Sequence, residues 1–274
     1  TTTFTSNGDA GGVWSSSAET IATVSSSGVV SGISAGSATI TYFVAGEGGC
    51  ADDETTRTVT VTAPPNAGVL SGTQDICEGQ TTTFISNGDA GGVWSSSAET
   101  IATVSSSGVV SGISAGSATI TYFVAGAGGC ADDETTRTVT VTAPPNAGVL
   151  SGNQDICVGQ TTAFISNGDA GGVWSSSAET IATVSSSGVV SGISAGSATI
   201  TYFVAGTGGC ADDEATRTVT VTAPPNAGTL SGNQNICEGQ TTAFTISGNS
   251  ATGVWSSSNT SIATANSSGV ITGV

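Results

Sequence analysis

The chain has 274 residues, with 20 acidic side chains against three arginines, no histidine and a formal net charge of −17. This balance excludes nucleic acid as a partner, because phosphate recognition needs clustered Lys or Arg. The missing histidine removes the commonest general base near neutral pH, and no apolar run approaches the roughly 18 residues that cross a bilayer. We therefore expect neither an enzyme nor a cofactor, and no membrane insertion in this segment.

An 80-residue period organises the chain. The stretch TTTFTSNGDAGGVWSSS at residues 1–17 recurs almost unchanged from residues 81 and 161, and a diverged fourth copy starts at residue 241. One tryptophan marks each copy: Trp14, Trp94, Trp174 and Trp255. Self-similarity at a fixed period is typical of tandem arrays, in which each copy is one structural unit.

Within a copy, apolar β-branched residues alternate with threonine or serine, which is typical of half-buried antiparallel strands. Glycine, serine and asparagine separate these segments, and no segment carries a helical stripe. Seven strands are predicted in the second copy, one ending before Cys77 and the others around 81–86, 92–97, 101–105, 108–113, 116–125 and 135–143. These short strands predict an all-β fold, a small β-sandwich with the tryptophan in its core.

The segment TAPPNAG separates the copies at 62–68, 142–148 and 222–228. Consecutive prolines cannot donate ladder hydrogen bonds and they stiffen the chain, so this segment predicts the domain boundaries. The predicted domains are residues 1–63, 67–143, 147–223 and 227–274. We expect the first and last of these to be partial domains of a longer array.

The stretch VWSSSAETIATVSSSGVVSGISAGSATITY carries four segments in order: Trp-Ser-Ser, Ile-Ala-Thr-Val, Gly-Val-Val-Ser-Gly and Gly-x-Ala-x-Ile. In these segments each copy resembles the bacterial immunoglobulin-like (Ig-like) domain of group 2. The flanking ICEGQTTTF and GGCADDETTRTVTVTAPPNAG resemble cysteine-bearing repeats of giant cell-surface proteins of Bacteroidota, which include gliding-motility adhesins and other cargo of type IX secretion. The resemblance implies a tandem array of Ig-like β-sandwich domains that is extracellular, on the bacterial cell surface.

From this resemblance we expect the stalk or spacer repeats of a large secreted adhesin, which extend a binding head from the cell and contribute to surface adhesion or gliding. The expected partners are other domains of the same long chain, surface glycan, and the secretion or motility machinery. Two other hypotheses stay open. One is a glycan- or surface-binding Ig-like module, and the other is a spacer region of a secreted polysaccharide-degrading enzyme.

Cysteines occur twice in each period. With the proline segments as boundaries, Cys77 is expected to bond Cys130, and the equivalent bond one copy later joins Cys157 to Cys210, each across 53 residues. Such a bond would staple a domain that is too small to bury a large core. Free buried thiols and a bond between neighbouring domains, acting as a mechanical lock, remain as alternatives. The partners of the other two cysteines, Cys50 and Cys237, are expected outside residues 1–274.

The segment GGCADDET places acidic residues 132–134 beside a cysteine, on a predicted loop between the last two strands. Hard oxygen ligands suit calcium, but no D-x-D-x-D-G loop is present. Two other acids near a domain end are replaced in later copies by Val158 and Asn235. We therefore expect a solvated acidic loop without a metal site, and no redox centre because a Cys-x-x-Cys pair is missing.

Overall fold

The computed structural model describes residues 1–248 and 252–274, and the regular elements of these residues are all β-strands. The predicted all-β class is confirmed. Across the described part of the chain, nothing forms an apolar helix of the length that a membrane crossing requires. The predicted fourth domain, 227–274, includes residues 249–251, which lie outside the described residues.

Strands β1 to β15 belong to the first two copies. The first copy contains β1 Thr2–Thr3, β2 Val13–Ser16, β3 Ala22–Val24, β4 Val29–Gly32, β5 Gly36–Val44 and β6 Asp53–Val61. The second copy contains β7 Leu70–Ser71, β8 Asp75–Cys77, β9 Thr81–Thr83, β10 Ile85–Ser86, β11 Val93–Ser96, β12 Ala102–Val104, β13 Val109–Gly112, β14 Gly116–Val124 and β15 Asp133–Thr142.

Strands β16 to β29 belong to the later copies. The third copy contains β16 Leu150–Ser151, β17 Asp155–Cys157, β18 Thr161–Ala163, β19 Ile165–Ser166, β20 Val173–Ser176, β21 Ala182–Val184, β22 Val189–Gly192, β23 Gly196–Val204 and β24 Asp213–Thr222. The last segment contains β25 Thr229–Ser231, β26 Thr241–Ala243, β27 Thr245–Ser247, β28 Ala263–Ala265 and β29 Val270–Gly273.

The second copy shows the sandwich in full. Its larger sheet has the order β11-β14-β15-β8, with β8 parallel to β15 and the other neighbours antiparallel. A second sheet has the order β12-β13-β9, and β7 pairs with β10. The third copy repeats this pattern as β20-β23-β24-β17, β21-β22-β18 and β16-β19.

The core of the second copy follows from the alternation in β14 and β15. Ala118, Ile120 and Tyr122 point inward and are buried, while the intervening serine and threonines face outward. Phe84, which is 1% exposed, belongs to one buried cluster with Ala118 and Ile120, and Tyr122 belongs to a second cluster with Ala67 and Leu70. Trp94 packs against this core, with its ring centroid 4.7 Å from that of Tyr122. The sandwich is therefore held mainly by apolar burial between two sheets.

Two strand boundaries differ from the prediction. The single strand expected at 81–86 is interrupted at Phe84, and its two halves, β9 and β10, pair in different sheets. The interruption turns the Phe84 side chain into the core while its N–H donates to the carbonyl of Gly108. Strand β15 begins at Asp133, so the acidic pair 133–134 belongs to a strand instead of a loop.

The chain divides into two compact units. The first comprises residues 1–144 together with the loop 206–211, and the second comprises 145–205 and 212–274. The loop at 206–211 thus belongs to the unit that contains the first and second copies. Cys210 lies in this loop.

Candidate functional site

Within the residues that the structure describes, one disulfide bond is present, and it joins Cys77 to Cys210. Cys77 ends β8 in the second copy, and Cys210 lies in the loop between β23 and β24 of the third copy. The predicted bonds within a copy, Cys77 to Cys130 and Cys157 to Cys210, are therefore wrong. The bond follows the alternative of a link between neighbouring copies.

Strand geometry explains why the bond within a copy cannot form. Strand β8 runs parallel to β15 and places Cys77 opposite Thr142, at the last residue of β15. Cys130 precedes Asp133, the first residue of the same ten-residue strand. At about 3.4 Å per residue the two cysteines lie roughly 30 Å apart, whereas a disulfide needs Cα atoms within about 7 Å.

The loop that carries Cys210 is seated against the end of β15. The Cys210 Sγ atom lies 3.4 Å from the Thr142 carbonyl oxygen. Gly208 has a φ of +61°, and a Cβ atom at this position would collide with the Thr142 side chain. Gly209 faces the backbone of Cys77 and Asp75. Gly208 therefore permits this close approach, which a side chain at that position would block.

The second copy presents the same loop to the first copy. The Cys130 Sγ–H donates to the Thr62 carbonyl oxygen at 3.5 Å, and a Cβ atom on Gly128 would collide with Thr62. Cys130 is half-buried and free. We call this contact of the loop with the threonine the seat. The seat around Thr62 has the same contacts as the seat around Thr142, but its cysteine, Cys130, forms no disulfide bond.

The other three free cysteines are exposed: Cys50, Cys157 and Cys237. Cys157 is the counterpart of Cys77 one copy later, at the end of β17. Of the four predicted disulfide residues, the structure therefore bonds Cys77 and Cys210 to each other, and leaves Cys130 and Cys157 as thiols.

The acidic segment makes specific hydrogen bonds. Asp132 Oδ1 accepts from the Gly126 N–H at 2.7 Å and closes the loop between β14 and β15. Asp133 Oδ2 accepts at 2.7 Å from the N–H of Ala67, a fully buried residue where the chain enters the second copy. The first carboxylate shapes a turn and the second anchors the entering chain, so these side chains do more than face solvent.

No metal centre is evident in the part of the chain that the structure describes. Among residues 1–248 and 252–274, no three cysteine or carboxylate side chains come together in a group that could hold a metal ion. Since Asp132 and Asp133 each already accept a backbone hydrogen bond, their oxygens serve the fold of the copy.

Sequence reasoning missed the role of the single arginine in each of the first three copies. The Arg137 guanidinium donates to the carbonyls of Leu70 at 3.0 Å and Gly72 at 2.8 Å. It also lies over the Phe84 ring, 5.6 Å from its centroid. The sequence did contain a signal for this role, the isolated arginine in the strand TRTVTVT. A strand of alternating Thr and Val needs no cation to form, so the arginine indicates a specific contact.

A second missed feature is a regular face of hydroxyl side chains, which we name the hydroxyl ladder. On the outward side of β14 and β15 it consists of the cross-strand pairs Ser117–Thr140, Thr119–Thr138 and Thr121–Thr136. The first copy has the pairs Ser37–Thr60, Thr39–Thr58 and Thr41–Thr56, and the third has Ser197–Thr220, Thr199–Thr218 and Thr201–Thr216. These nine pairs contain no charged side chain.

Comparison with known proteins places the chain in a family. A model described as the bacterial Ig-like domain (group 2) matches residues 1–61, 55–133 and 135–214. Ice-binding protein 1 of Shewanella frigidimarina (strain NCIMB 400) is 32% identical over 298 residues, covering 95% of this chain and 32% of that protein. The chain thus spans only part of that relative's length.

Solved structures with related folds include bacterial surface proteins. Invasin, a bacterial integrin-binding protein, has 17% identity and a TM-score of 0.33, covering 96% of this chain and 66% of invasin. The S-layer protein SbsC has 17% identity and a TM-score of 0.27, covering 95% and 43% of the two chains. Scores this low carry no argument about either fold or function.

Proposed function

Since the chain belongs to the group 2 bacterial Ig-like domain family, we propose that it forms stalk or spacer repeats of a large secreted bacterial cell-surface adhesin. The observation that carries this proposal is the near-identity of successive 80-residue copies that fold into the same sandwich. An array of this kind gains length by adding copies, because each copy contacts only its neighbours.

An extracellular location is supported by the disulfide bond. Bonds of this kind persist in oxidising surroundings such as the cell surface, and are rare in the cytosol. The role of the chain is mechanical and not enzymatic, and surface adhesion or gliding arises through the head that the spacer carries. The link to Bacteroidota and to type IX secretion stays a prediction from the resemblance.

The spacer role can be tested by anchoring the full chain at one end to a surface coated with a polymer brush and fusing a known binding domain to the other end. The fused domain should capture ligand-coated beads that the same domain, anchored directly under the brush, cannot reach. Equal capture by both would contradict the proposal. The full chain alone should not bind a glycan array, and specific binding there would favour the glycan-binding hypothesis.

A second candidate function, binding to an ordered surface, is favoured by the hydroxyl ladder. Its side chains are spaced by about 4.8 Å across the strands and about 6.8 Å along them, and each threonine offers a methyl group beside its hydroxyl. The relative from Shewanella is named an ice-binding protein. A regular array of hydroxyl and methyl groups, whose own side chains are uncharged, suits the ordered water molecules of an ice surface, so ice is the surface to test.

The test compares two lysine substitutions in the full chain. Thr138→Lys places a charge on the hydroxyl ladder, whereas Ser107→Lys places one on an exposed turn elsewhere in the same copy. If the ladder binds ice, the unmodified chain partitions into a growing ice front and T138K partitions less, with S107K unchanged. Exclusion of the unmodified chain from ice would rule out this second function.

A further inference from the structure

The Cys77–Cys210 bond spans 133 residues of chain. The closed loop contains strands β9 to β15 of the second copy and β16 to β23 of the third, with the proline segment 142–148 between them. The bond therefore bypasses most of two copies. A staple within one copy would bypass only 53 residues and would leave the proline segment as the sole covalent connection between copies.

We propose that successive copies of this array are covalently interlocked, each strand-end cysteine bonding the loop cysteine 133 residues later. The strand-end cysteines are Cys77 and Cys157, with Cys237 at the equivalent position of the last segment, and the loop cysteines are Cys50, Cys130 and Cys210. Among these six, only one pair has that separation within residues 1–274, and it is the pair that is bonded. The other four are free, and for each of them the position 133 residues away falls outside this range.

The seat at Thr62 supports the extension of this pattern to other copies. The Cys130 Sγ atom lies 3.5 Å from the Thr62 carbonyl, just as Cys210 Sγ lies 3.4 Å from that of Thr142. The glycine two residues before each cysteine faces the threonine side chain in both places. The seat is thus a property of the repeated sequence, and it holds the loop cysteine in place before any bond forms.

The interlock changes how the chain bears tension. A pull that enters at Cys77 crosses the sulfur–sulfur bond to Cys210, so the residues between them need not extend. At about 3.6 Å for each extended residue, the bond prevents roughly 480 Å of chain from extending under tension. When the next bond of the series starts at Cys157, the segment 157–210 lies inside both loops. A single cut of the polypeptide in such an array would then leave all copies covalently connected.

Formation of the bond requires an oxidant. The two thiols give up two protons and two electrons as the sulfur–sulfur bond forms. A disulfide-bearing oxidant accepts both electrons through a mixed disulfide and leaves as a dithiol, or as two thiols when it is oxidised glutathione. This chemistry fits an extracellular array and does not depend on what the array carries, so it stands or falls separately from the spacer role.

A cut in the proline segment tests the interlock. A protease recognition sequence is inserted between the exposed residues Ala143 and Pro144 of the full chain, the protein is oxidised with glutathione disulfide, and remaining thiols are alkylated. After cleavage, denaturing electrophoresis without reductant should show one species, which separates into two fragments when reductant is added. Two fragments without reductant would mean that the bonds lie within the copies, and would overturn the proposal.

Two serine substitutions serve as matched controls in that experiment. Cys77→Ser should give separate fragments without reductant, while Cys157→Ser, the same position one copy later, should leave the fragments joined. Because the readout is taken in denaturant, neither result depends on native folding of the variant. Separation caused by C157S, or continued linkage in C77S, would assign the bond to other cysteines and would overturn the proposal.

Pulling the full chain by its ends gives an independent measurement. Under oxidising conditions the fully extended chain should be shorter than the reduced chain by roughly 480 Å, about half of its total extended length. An equal length in both conditions, or a difference near two loops of 53 residues, would contradict the interlock.

Discussion

The first and second copies have nearly the same sequence, but equivalent side chains are buried to different extents. Residues 36–61 and 116–141 differ only at Glu47, which is Ala127 in the second copy. Yet Val139 and Val141 are 0% and 2% exposed, whereas their counterparts in the first copy are only half-buried. The same strand therefore reaches different degrees of burial in one molecule.

The difference lies in β8, which precedes the repeated stretch of the second copy. In the second copy, β8 adds a fourth strand to the larger sheet and pairs Ile76 with Val141. The corresponding sheet of the first copy has three strands, β2-β5-β6. The burial of β15 thus depends on a partner strand more than 60 residues earlier in the sequence. The pattern of residues within β15 does not reveal that partner.

The largest expected effect separates two equivalent phenylalanines. Phe84 is 1% exposed, so Phe84→Ala should cost about 3–5 kcal/mol of unfolding free energy in the second copy. Its counterpart Phe4 is half-buried, and Phe4→Ala should cost about 1–2 kcal/mol in the first copy. Hydrogen exchange of peptides that span residue 85 or residue 5 distinguishes the copies, since these positions are Ile and Thr. Equal costs would contradict the account of burial.

The arginines should show a smaller difference in the same direction. Arg137→Gln removes both hydrogen bonds to carbonyls of the preceding segment and should cost about 2 kcal/mol. Arg57→Gln removes only the contact over Phe4, 5.3 Å from the ring centroid, and should cost about 0.5–1 kcal/mol. The same exchange measurement applies. A larger cost for R57Q would show that the carbonyl bonds are not what stabilises the second copy.

The buried tyrosines should lack any difference between copies. Tyr122 Oη donates to the Asp89 carbonyl and accepts from the Gly92 N–H, both at 2.8 Å, and Tyr42 makes the equivalent bonds at 2.9 Å. Both partners lie within the copy, so Tyr122→Phe and Tyr42→Phe should each cost about 1–2 kcal/mol. Unequal costs would show that Ala67 and Leu70, which pack against Tyr122, also change the strength of its hydrogen bonds.

Calcium should have the smallest effect in either copy. The full chain should unfold at the same temperature in chelator and in millimolar calcium, because Asp132 and Asp133 are engaged by backbone N–H groups. A calcium concentration 100 times the dissociation constant of a site would add about 2.7 kcal/mol to the free energy of unfolding. It would raise the midpoint of thermal unfolding by several degrees. Calorimetry in the two buffers measures this directly, and a shift of that size would establish a metal site.

The alternation of residues allowed most of the strands to be predicted. Thr, Val and Ile at a period of two specify which face of β14 and β15 is buried, because a strand presents successive side chains to opposite faces. The break at Phe84 was not predictable from the sequence, since β-branched and hydroxyl residues typical of strands lie on both sides of it. Its cause is the division of β9 and β10 between two sheets, which only the assembled fold contains.

The sequence by itself determined the period, the all-β class and the family, because these follow from repetition and from side-chain alternation along short stretches. Only the tertiary structure decided which cysteines bond. The proline segment suggested a bond within each copy, but the parallel pairing of β8 with β15 holds Cys77 and Cys130 at opposite ends of one strand. A disulfide depends on distance in space, and a strand about 30 Å long separates the two cysteines that the sequence had predicted to bond.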